Sequence, residues 1–100
     1  METNLQRELW TSWASMLRVY AAAHGMNSPY HGVVEVSAED ITLRVNDRWV
    51  RFTHDALETS EGSTAGFALQ EDGNILIGEV SEEMDMAAEQ VARRMLQGSE

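Results

Sequence analysis

The chain has 100 residues, 43% of them hydrophobic, and a net charge of −10. That length supports one core, so residues 1–100 are expected to form a single domain, and the hydrophobic content argues against disorder despite the charge. An acidic surface repels nucleic acid and anionic membranes, and the lack of cysteine excludes a disulfide framework and thiolate metal sites.

The first residues carry no basic stretch followed by an apolar run, so no signal peptide is expected. Thr3 and Gln6 have capping-box spacing, with Thr3 as the N-cap. Leu5, Leu9, Trp10, Trp13, Met16, Leu17 and Tyr20 then recur at helical spacing and fall in an arc of roughly 140°. Arg7, Thr11, Ser15 and Arg18 take the other side, and Gly25 stops the helix near His24. Asn, Ser, Pro and Gly make residues 26–32 a loop.

Residues 33–54 predict a three-stranded meander, with Asn46-Asp47 as a two-residue turn. That register sets Val45 against Arg48, Leu43 against Val50 and Ile41 against Phe52. Val34, Val36, Ile41, Leu43, Val45, Val50 and Phe52 share the core face. Glu35, Thr42, Arg44, Trp49, Arg51 and Thr53 share the opposite one. Asp55 and Glu58 have the spacing of a capped short helix before Gly62. Residues 66–80 predict a hairpin in which Glu71-Asp72-Gly73 is the loop and Gly73 is left-handed. Phe67, Leu69, Ile75 and Ile77 then face inward. Ser81 reads as the N-cap of a second helix, with Glu82, Glu83 and Asp85 in its positive first turn. Met84, Ala88, Val91, Ala92, Met95 and Leu96 form its apolar stripe, Met86 lies on the polar side, and Gly98 ends it. The fold class is therefore α+β, in the order α-β-β-β-(short α)-β-β-α: an antiparallel sheet of about five strands flanked by an N-terminal and a C-terminal amphipathic helix.

Catalytic patterns are absent. His24, His31 and His54 show no i, i+4 pairing and no acidic residue at ligand spacing, so no metal and no cofactor are expected. His54-Asp55 could orient a proton transfer with Ser60, Ser63 or Thr64 nearby, but no Gly-x-Ser-x-Gly elbow accompanies them. The protein is read as no enzyme, with a small enzyme using His54 as the remote alternative. Residues 71–74 lack a calcium-ligand array. Trp and Arg are enriched at interface hot spots, which makes Arg44, Trp49 and Arg51 a candidate protein contact. A solvated sheet face explains them nearly as well. Leu9, Trp10, Trp13 and Leu17 join the candidate contact set, because the first helix offers more apolar surface than one small sheet face needs.

The order of elements over Leu5–His24, Val33–His54 and Gly66–Leu96, with small size and acidity, resembles the class I chaperones of type III secretion systems. The chain departs from them in the shortened middle helix, which usually forms much of their dimer interface. The resemblance implies a protein that holds an extended segment of a secreted effector without chemistry. The missing signal peptide, cysteine and membrane-length apolar run place it in a cytoplasm, with a bacterial one favoured, and the apolar surface of the first helix suggests a homodimer. The alternative is an acidic adaptor or inhibitor, of phage origin in one form, that binds a basic protein. Neither reading involves nucleic acid or a membrane.

Overall fold

A computed structural model describes residues 4–26 and 30–97. One helix, α1 (Asn4–Gly25), is followed by seven strands: β1 (Gly32–Val36), β2 (Asp40–Val45), β3 (Arg48–Thr53), β4 (Ala56–Thr59), β5 (Thr64–Leu69), β6 (Asn74–Ile77) and β7 (Val80–Glu83). A second helix, α2 (Met84–Gln97), completes the order. The strands pair antiparallel with their sequence neighbours throughout, in the spatial order β1-β2-β3-β4-β5-β6-β7. The architecture is thus α+β with one antiparallel sheet and a helix at each end of the order. The sheet has seven strands, where the pattern predicts about five.

The register of the first hairpins agrees with the alternation of side chains. Ile41 pairs with Phe52, Leu43 with Val50, Arg44 with Trp49 and Val45 with Arg48. At the turn Asn46 takes a positive φ of 58°, a conformation its short polar side chain tolerates. In the β5–β6 hairpin Phe67 pairs with Ile77 and Leu69 with Ile75, and Gly73 sits at φ 89° in the loop. Only glycine enters that region without steric cost.

Both helices lie on the inner face. From α1, Trp10, Trp13, Ala14, Leu17 and Ala21 are buried; from α2, Met84, Ala87, Ala88, Ala92 and Leu96. They meet Ile41, Leu43, Val45, Val50, Phe52, Phe67 and Ile75 of the sheet. At the centre, the Trp13 ring stands edge-on to Phe52, with centroids 5.1 Å apart, and tilted against Phe67 at 5.8 Å. Val34, Leu57, Leu69 and Ile77 pack against this core while only partly buried.

The expectation fails in three places. Residues 55–58 form no helix: Thr53 Oγ1 accepts from the Ala56 amide, closing a tight turn, and Leu57 then pairs with Phe52 and with Ala65. A helix of one turn gains too few hydrogen bonds to compete with two ladders. Ser81, Glu82 and Glu83 are strand residues paired with β6, so the second helix begins at Met84, two residues later than an N-cap at Ser81 implies. Val36, assigned to the core face, is 41% exposed, because it ends an edge strand with no further strand beside it. Thr3 and Gly98, the expected cap and stop, lie outside the described residues, as does part of the 26–32 loop.

Two polar links fix the helices to each other. Tyr20 Oη donates to Asp85 Oδ1 at 2.6 Å, and His24 Nε2 lies 3.1 Å from Glu89 Oε2. Residue 20 meets 85 and 24 meets 89, so the helices run side by side in the same direction. The bond to Asp85 raises the Tyr20 pKa above its ordinary 10.0, with desolvation and the Asp85 and Glu89 charges adding to the effect. Because the folded value exceeds the unfolded one, this bond's contribution is complete below the ordinary value and is lost as the pH rises through the folded value. In an ultraviolet phenolate titration, Tyr20 is expected to ionise late, and Tyr20→Phe to remove that late step.

Candidate functional site

Strand alternation puts the candidate patch on the sheet face away from the helices. Arg44 leaves β2 on that face, directly across from Trp49 of β3. Arg51 follows two residues after Trp49, and its guanidinium lies over the indole, 4.9 Å from the ring centroid. Such a stack is worth on the order of 0.5–1 kcal/mol at an exposed site. Neighbouring strands supply the counter-charges. Glu58 of β4 lies opposite Arg51, with Oε1 3.5 Å from Nη2, and Glu35 of β1 accepts from Arg44 Nη2 at 3.1 Å. Thr42, Arg44, Trp49 and Arg51 together line a shallow depression. One donor there is unused: Arg51 Nε is buried without a hydrogen-bond partner. The Ser60 amide and hydroxyl pin the main chain of Trp49 at 2.9 and 3.1 Å, so the indole rises from a fixed backbone.

The other half of the sequence-derived set lies on the opposite side of the sheet. Trp13 and Leu17 have no accessible surface and Trp10 is 6% exposed, so these three close the monomer's own core. Leu9 is partly buried against the same core. The sheet therefore separates two groups of residues that the sequence suggested as joint contributors to contact. The surplus of apolar residues on α1 is explained by α2, which lies along it.

Trp10 has a second role. Its Nε1 donates to the Ser37 carbonyl oxygen at 3.0 Å, and the His54 ring stacks on its indole with centroids 4.0 Å apart. His54 Nε2 in turn donates to the Ala38 carbonyl oxygen at 2.8 Å. Asp55 accepts from the Thr53 hydroxyl at 3.2 Å. The imidazole is thus tied to the β1–β2 turn, and the neighbouring carboxylate to its own turn. Among the described residues, no three His, Asp or Glu side chains gather in a way that could hold a metal ion. No helix there is long and apolar enough to cross a membrane.

The β6–β7 turn carries its own sequence signal. Gly78-Glu79 between Ile77 and Val80 is a two-residue hairpin loop with Gly78 at φ 62°. The acidic run after it resembled a helix start more strongly than a strand. Compared with known proteins, the chain matches no family model, no curated protein and no solved structure.

Proposed function

We propose that the protein is a binding module that acts by contact, holding a segment of a partner protein. The observation that carries this reading is the placement of both helices on one face of the sheet. The other face of β1–β4 is left to solvent, with a Trp–Arg stack at its centre. Trp and Arg give large contact area and directed hydrogen bonds, and truncating such an anchor costs about 2 kcal/mol or more of binding. The secretion-chaperone form of the reading has less support, since strand β4 occupies the place of the middle helix that the resemblance implies.

The test is affinity capture from the native host with mass identification, followed by measured binding of whichever protein is found. Trp49→Ala and Arg51→Ala are each expected to weaken that binding at least tenfold. Each should change unfolding stability by about 1 kcal/mol or less, as for side chains outside the core. A partner held equally well by both variants would show that this face is merely wet.

A further inference from the structure

The sheet has two edges, and β7 is one of them. Ile77 and Val80 close a two-residue loop and so exchange hydrogen bonds with each other. Alternation along the strand then commits Val80 and Glu82 to the β6 ladder and turns the amide and carbonyl of Ser81 and the amide of Glu83 outward, while the Glu83 carbonyl, at the N-cap of α2, accepts the first bond of that helix. Among the described residues no backbone partner meets that outward side. Beside it, between the inner face of β6–β7 and α2, runs a groove of about 140 Å³. Ile75, Ile77, Val80 and Val91 make it apolar, and Glu82 and Arg94 bring charge to it. Val80 is 57% exposed, and Glu82 Oε1 is buried there without a hydrogen-bond partner.

We infer that β7 accepts an eighth strand from a partner protein, a segment in which aliphatic and basic side chains alternate. This rests on the protein-binding reading but uses a different surface from Trp49 and Arg51. The amide and carbonyl of Ser81 and the amide of Glu83 supply the pairing, as in other strand additions. Inward side chains of the added strand enter the groove over Val80 and Val91, where Arg94 disfavours a second cation. Outward side chains stand beside Glu83, with Glu79 at the turn end of the strand. Charge selects the occupant. Two copies joined through β7 would bring Glu79, Glu82 and Glu83 of each against the other, and like charges opposed across strands destabilise pairing. An inward-pointing acid on an edge strand discourages apolar strands in the same way. Basic side chains on the outward face turn the cost at Glu79 and Glu83 into attraction.

The probe is the octapeptide acetyl-(Lys-Val)4-amide, titrated into the whole protein at low salt and followed by amide hydrogen exchange. Binding is expected to protect the Ser81 and Glu83 amides and to weaken as salt is raised. The glutamate analogue acetyl-(Glu-Val)4-amide should not bind. Ser81→Pro removes one outward amide without touching the β6 ladder, and should weaken binding about tenfold. The same peptide, backbone N-methylated at its lysines, keeps its charge but cannot pair, and should lose as much against the unaltered protein. Trp49→Ala should leave peptide binding unchanged, so loss at one surface is distinguishable from loss at the other. The inference is overturned if the N-methylated peptide binds equally, since charge alone would then account for it. Protection of the β1 edge instead of β7, or a dimer of the free protein that Ser81→Pro dissolves, would overturn it too.

Discussion

Trp13→Ala is expected to lower the free energy of unfolding by about 3–5 kcal/mol, the usual loss for a large aromatic removed from a core. Trp13 is completely buried and touches both phenylalanines, themselves 5.0 Å apart, so its removal leaves a hole at the meeting point of α1, β3 and β5. Neighbouring groups have little room to collapse inward, because Phe52 and Phe67 are held in place by strand pairing on both sides. Trp13→Phe should lose much less than its volume change suggests. The Nε1 of Trp13 is buried with no hydrogen-bond partner, and leaving such a group unpaired already costs about 1–3 kcal/mol. Urea unfolding of the two variants checks both statements. If Ala and Phe fall together, the indole nitrogen has a partner in solution.

Ala88→Leu is expected to cost about 1–3 kcal/mol through overpacking. Ala88 and Ala92 of α2 have no accessible surface, and Ala14 and Ala21 of α1 are nearly as enclosed. The links from Tyr20 to Asp85 and from His24 to Glu89 join the helices one turn apart, on either side of Ala21 in α1 and of Ala88 in α2. Extra methylenes at residue 88 must push the helices apart and stretch both links. Thermal unfolding should therefore show a lowered midpoint, and the late ionisation of Tyr20 should move back toward its ordinary value in the same variant. An exposed position such as Met86 should accept Leu with almost no change. That control separates a packing effect from a change in helix propensity.

The sequence by itself determined the local periodic elements. The 3.6-residue recurrence through Trp10, Trp13 and Leu17, and through Ala88, Ala92 and Leu96, identified which side of each helix is buried. The two-residue alternation around Asn46-Asp47 set Leu43 against Val50 and Arg44 against Trp49, since a slip of one residue would send every apolar side chain to water. Gly73 marked its turn because few other residues enter that conformation.

Tertiary structure decided the segments whose local preferences were weak or misleading. Residues 56–59 carry one large apolar side chain and can be helix or strand; hydrogen bonds from β3 and β5 on either side make them a strand. Ser81–Glu83 have the composition of a helix start, but β6 presents an unpaired edge after a two-residue turn, and pairing outweighs the cap. The same holds for the candidate contact residues. Trp10, Trp13 and Trp49 are alike in sequence as large aromatic side chains, and exposure separates them. Long-range packing of α2 along α1 closes the core over the first two, while Trp49 stays on the side of the sheet that neither helix reaches. Residues distant in sequence decide burial, so no local pattern could have distinguished anchors of the core from a platform at the surface.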